Sequence, residues 1–113
     1  MFGGNNIEKI KELGNKGKTK KILPYTSSKN PEERAAAAEA LGNTSTDETL
    51  HTLINMLHDS DVSVGINAAT ALGKVGFPAA IEHLRHAANN SADDKFKSAC
   101  TASAASLSKN SKQ

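Results

Sequence analysis

Residues 34–42 read Arg-Ala-Ala-Ala-Ala-Glu-Ala-Leu-Gly, and residues 65–73 read Gly-Ile-Asn-Ala-Ala-Thr-Ala-Leu-Gly. Ala37, Ala38, Ala40, Leu41 and Gly42 therefore return, 31 residues later, as Ala68, Ala69, Ala71, Leu72 and Gly73. The same offset carries Leu53 onto Leu84 and Ser60 onto Ser91. A match of that length spans two helices and the turn between them, so it marks an internal repeat and not a chance likeness of alanine-rich helices.

Each unit reads as a helix A, a turn at glycine and a helix B. Positions 34, 37, 38 and 41 fall on one face of a helix A, and Leu50, Leu53, Ile54 and Leu57 fall on one face of a helix B. Neither stripe can be buried within its own helix. Stacking the pairs side by side buries both, which is why such units come in arrays. The expected fold is therefore all-α: an α-solenoid of antiparallel helix pairs, about 3.5 repeats and seven helices. It forms a single domain with units at about 5–28, 30–59 and 61–90, a terminal half-unit at 92–107 and a frayed tail at 108–113.

Punctuation supports these boundaries. Asn30-Pro31-Glu32-Glu33 offers an N-cap, a proline at the first helical position and a Glu placed for a capping box. Ser45 with Glu48 repeats that form, Asp61 opens the third helix A, Pro78 opens its helix B, and Ser91 with Asp94 suggests another cap. Gly42 and Gly73 stand where a left-handed residue ends a helix. Ile7, Ile10 and Leu13 outline a first helix A, and Pro24 truncates its partner. In the half-unit, Phe96, Ala99, Cys100 and Leu107 share the inward face. No helix B follows, which leaves that face uncapped and open to self-association.

Composition agrees with thin helical layers: aromatic residues are 4% of the chain and Trp is absent. The net charge of +2 conceals a pattern. Residues 1–29 hold seven Lys and two Glu, residues 30–94 hold three basic and ten acidic groups, and residues 95–113 hold four Lys and no acid. Nucleic acid needs one continuous positive face, and the acidic centre argues against it. The single cysteine, Cys100, excludes an internal disulfide and a cysteine-ligated zinc site. Met1 to Leu13 has no apolar run of signal type, and nothing approaches a membrane span. A cytoplasmic protein is expected.

The pattern Arg34-x-x-Ala37-Ala38-x-Ala40-Leu41-Gly42 resembles HEAT repeats of the short bacterial and archaeal type first associated with phycobilisome lyases. The resemblance is close over 30–90 and weaker at either end. It implies an α-solenoid that binds proteins, with Asp59 and Asp61 in the inter-repeat turn and Arg34 at the family's arginine. Val64 keeps the next unit's valine, but Gly65 stands at its arginine position. That departure implies a lost Asp–Arg contact and a helix start weakened by about 1 kcal/mol. Arg34, Leu41, Gly42, Asp59, Asp61, Leu72 and Gly73 are thus read as structural.

The resemblance also implies that B helices line the concave, partner-facing side. His51, Asn55 and His58 lie on the side of their helix B away from the leucines, and Glu82, His86 and Asn89 occupy the matching places one unit on. This polar stripe, namely His51, Asn55, His58, Glu82 and His86, is the candidate protein-binding surface. His83 with His86 has metal-binding spacing, but a solvated face is the simpler reading, and no metal or cofactor is expected. Di-iron hydroxylases of the HEAT class repeat a His-Glu dipeptide that this chain lacks. Bilin lyases are considerably longer, and HEAT-like DNA glycosylases need a basic surface with aromatics. Cys100 has no base to activate it. The expected role is a non-enzymatic scaffold for another protein. The alternatives are a non-catalytic relative or accessory subunit of a HEAT-type lyase or hydroxylase and, more weakly, nucleic-acid binding through the Lys-rich ends.

Overall fold

The computed structural model describes residues 5–110, and among them every regular element is helical. The helices are α1 (Asn5–Asn15), α2 (Thr19–Ile22), α3 (Pro31–Leu41), α4 (Asp47–Met56), α5 (Val62–Val75), α6 (Ile81–Asn89) and α7 (Asp94–Asn110). Two 3-10 turns, Leu23–Ser27 and Pro78–Ala80, complete the B helices of the first and third units. Pro24 does end α2 early, and Pro78 opens a 3-10 turn that leads into α6. The half-unit is longer than expected: α7 continues through 108–110, and residues 111–113 lie outside the described part.

The A helices α1, α3, α5 and α7 form one continuous layer, each in extended contact with the next. Glycine sets this spacing. A Cβ on Gly14 would lie 2.8 Å from the Ala40 Cβ, one on Gly42 would lie 3.2 Å from the Ala71 Cβ, and one on Gly73 would lie 2.9 Å from the Ser103 Cβ. Each A helix thus seats a small residue of the next helix on its own glycine, and the seam repeats three times. Ser103 adds a hydrogen bond, its hydroxyl donating to the Ala69 carbonyl at 2.7 Å.

Gly42 does cap the end of α3, but the left-handed conformation expected of it and of Gly73 is not found. Gly42 keeps a right-handed conformation (φ −63°), and Gly73 lies inside α5, which ends instead at left-handed Gly76 (φ 81°). Among the described residues the B helices α2, α4 and α6 lack the extended contact that joins the A helices.

Between the layers lies an apolar core. Ile10, Ile22, Leu41, Leu53, Leu72, Leu84 and Leu107 are all at most 1% exposed. Burying each such side chain contributes roughly 1.5–3 kcal/mol. The inward face of the half-unit is not left open, because α7 packs on both α5 and α6. Its outward face carries Lys95, Lys97, Ser98, Thr101 and Ala102, all exposed.

Several caps differ from the sequence expectation by a residue or a partner. Asn30 caps α3, its Oδ1 accepting from the Glu32 amide at 2.9 Å. Glu33 does not close a capping box. Its carboxylate turns inward and accepts from the Ser28 hydroxyl at 2.7 Å and the Asn6 amide at 2.9 Å, tying α1 to α3. Those bonds, from Ser28 above all, hold its carboxyl below the ordinary range. The α4 cap is Thr46 and not Ser45: its hydroxyl accepts from the Thr49 amide at 3.1 Å. The Thr46 and Thr44 hydroxyls both bond to that of Thr49, which is fully buried. Asp93, not Ser91, caps α7 through the Phe96 amide at 2.8 Å. Asp61 caps α5 as expected, accepting from the Ser63 amide at 2.9 Å.

Candidate protein-binding surface

The inter-repeat turns carry the main polar structure. Arg34 leaves α3 and meets Asp59 in a two-pronged ion pair, Nε to Oδ2 at 2.8 Å and Nη2 to Oδ1 at 2.9 Å. Its Nη1 donates to the Ser28 carbonyl at 2.9 Å. One guanidinium therefore ties the turn before its unit to the turn after it. Both side chains are mostly shielded, at 16% and 12% exposure, which strengthens such a pair. The Arg34 hydrogen bonds hold the Asp59 carboxyl below the usual carboxylate range. Asp59 also accepts from the Asp61 amide at 2.8 Å, shaping the turn that starts α5.

One unit later both partners change. Gly65 replaces the arginine and Asn90 the aspartate, each 31 residues on. Gly65 does not leave α5 ragged, because Asp61 caps it and the Val64 and Gly65 amides both bond to the Asp61 carbonyl. The glycine makes room for a neighbour: a Cβ there would lie 3.0 Å from the Phe96 ring and 3.1 Å from the Leu57 carbonyl. Phe96 is itself the next position in the series Arg34, Gly65, Phe96. Where the second unit fills its turn with a guanidinium, the third is left as an open groove of about 780 Å³ between the ends of α4 and α6 and the start of α7.

The candidate stripe meets this groove at one end. His51, Asn55, Glu82 and His86 are exposed on the B helices, and His58 is exposed in the turn just after α4. Behind them lie Leu53 and Leu84, fully buried. His58 and His86 both line the groove, whereas His51, Asn55 and Glu82 stand away from it. Nor is the stripe uniform. Glu82 pairs with Arg85 at 3.2 Å, and the His86 ring bonds the Asn90 side chain at 3.1 Å. His51, Asn55 and His58 make no side-chain hydrogen bond among the described residues. Among the described residues, no three His, Cys, Asp or Glu side chains converge as a metal site would require.

The groove could not be found by repeat counting, because it depends on a missing side chain. Its signal in the sequence is the joint loss of Arg at 65 and Asp at 90. Val62, the one large apolar side chain exposed among the described residues (44%), and Asp93 also line it. Cys100 is fully buried in α7, and burial pushes its thiol up to about 11, so it is protonated at neutral pH.

No helix among the described residues is long and apolar enough to cross a membrane. No curated protein matches the sequence. The profile for HEAT repeats matches residues 19–105, most of the chain and all of α2 to α6. With the 31-residue repeat, the paired helices and the Arg34–Asp59 clasp already in place, that match shows that the chain belongs to the HEAT-repeat family.

Proposed function

We propose that this chain is a non-catalytic binding module that holds another protein on its B-helix surface. HEAT repeats commonly mediate protein–protein contact, which supports the general reading. The observation that carries the placement is the exposed row His51, Asn55 and His58, whose polar groups the fold itself does not use. Its next-unit counterparts Glu82 and His86 extend the surface toward the groove. A polar row on rigid helices, anchored by buried leucines, suits recognition because it is held in place before a partner arrives.

No nucleophile paired with a base is assembled around Cys100, the one thiol, and its protonated state disfavours attack. The spacing of the repeat supports a kinship with the short HEAT type associated with phycobilisome lyases, and a cytoplasmic location fits the lone buried cysteine. The test is affinity capture from native lysate followed by mass spectrometry. The wild-type chain is expected to retain a partner that a variant with His51, Asn55, His58, Glu82 and His86 all changed to Ala loses. Equal capture by a folded variant would remove the proposed surface.

A further inference from the structure

We propose that the groove over Gly65 and Phe96 is a socket for an arginine side chain from a segment of the partner protein. The inference rests on the protein-binding reading above and adds the chemistry of the contact.

The fold supplies its own precedent. In the second unit the inter-repeat turns hold a guanidinium, that of Arg34, between the Ser28 carbonyl and the Asp59 carboxylate. Thirty-one residues on, the corresponding groups are the Asp59 carbonyl and the Asn90 side-chain amide, whose oxygen is an acceptor of the same reach. Only the arginine is missing, because Gly65 has no side chain. Losing the arginine alone would leave a carboxylate at 90 unpaired, and Asn90 removes that penalty while keeping an acceptor.

The lining suits a cation from outside. It includes the carboxylates of Asp59 and Asp93 and no lysine or arginine. Asp59 is already neutralised by Arg34, so Asp93 carries the free charge. The groove lies where the C-terminal ends of α4 and α6 meet the N-terminal turns of α5 and α7, so the helix dipoles offset one another and the side-chain carboxylates decide its sign. Exposed Val62 and the Phe96 ring offer apolar contact to the methylene stem, and the planar head group suits a site that already accommodates one by repetition. A second copy of this chain is the less fitting occupant, because its basic ends carry lysine only.

The test uses the full-length, isotopically labelled chain and three capped pentapeptides, Gly-Ser-X-Ser-Gly, with X as arginine, citrulline or lysine. Backbone amide shifts are followed by NMR. The arginine peptide is expected to shift Gly65, Asn90 and Asp93, with citrulline about tenfold weaker for loss of the charge. Asp93→Asn keeps a capping oxygen and is expected to weaken the arginine peptide about two- to fivefold. Asn90→Arg, on an exposed position, is expected to abolish the response while circular dichroism stays unchanged.

Equal responses to arginine and citrulline, or shifts confined to other surfaces, would overturn the proposal. A lysine peptide that binds as well as arginine would also overturn it. So would concentration-dependent shifts of the same amides without peptide, which would identify a second copy as the occupant. Stripe-dependent partner capture with no peptide response would leave the binding surface standing and remove only the socket.

Discussion

The A-helix seam predicts the cost of enlarging one side chain within it. Ala71 is 3% exposed, and its Cβ lies within 3.2 Å of the point where Gly42 would carry one. Ala71→Leu adds three carbons beside that contact, and any of them directed at Gly42 meets backbone. Helix propensity barely changes, since Ala and Leu are both strong helix formers, so the effect isolates packing. Overpacked cores lose typically 1–3 kcal/mol, and a contact against backbone belongs at the upper end, about 2–3 kcal/mol. For a chain of this size that lowers the melting temperature by about 10 °C, a large share of the total stability of a small domain.

The assay is urea and thermal denaturation followed by circular dichroism. Ala102→Leu serves as the control, because Ala102 is exposed on α7 and its enlargement meets water. The control is expected within about 0.5 kcal/mol of wild type. If Ala71→Leu stayed within that margin, or if both variants fell equally, the account of the seam would be refuted.

Other expectations follow from single residues. Leu53→Ala empties a fully buried site between the layers and should cost about 2–5 kcal/mol in chemical denaturation. Gly76→Ala forces a side chain into left-handed backbone at the end of α5 and should cost about 1 kcal/mol by the same measurement. Asp59 and Glu33 have folded-state carboxyls below their ordinary values of 3.8 and 4.5. Their contribution is therefore present above those values and lost as pH falls through the lower folded values. Stability measured from pH 6 downward should fall, and Arg34→Met with Glu33→Gln should flatten that fall. Native Cys100 should react with a thiol reagent at pH 8 about a hundredfold more slowly than in denaturant, since reaction requires opening of α7.

The architecture was legible in the sequence because a repeat states the same packing problem twice. The alanine–leucine stripe of residues 34–42 and 65–73 placed α3 and α5, and the leucines of 50–57 placed α4. The Arg34–Asp59 clasp was also legible, since both residues hold family positions. Glycine was misread because one residue type serves two ends: Gly76 supplies a left-handed conformation, whereas Gly14, Gly42 and Gly73 supply room for a neighbouring helix. Single-sequence patterns do not distinguish them until Ala40, Ala71 and Ser103 are seen against them.

Cap positions slipped by one residue at Thr46 and by two at Asp93, where several hydroxyls and carboxylates stand within reach of the same amides. The residues of the candidate stripe do lie exposed, but the meeting of two of them with a groove was not legible. The groove arises from Gly65, Asn90 and Phe96 together, and only the folded chain brings position 96 back onto position 65.

The account turns on which layer meets a partner. Hydrogen exchange of the chain, free and bound to the captured protein, measures this directly. Protection is expected to rise in residues 47–60 and 81–93, the B helices with their turns, and to change little in α1 and in the outward face of α7. Protection confined to α1 and α7, with the B helices exchanging as in the free chain, would contradict it.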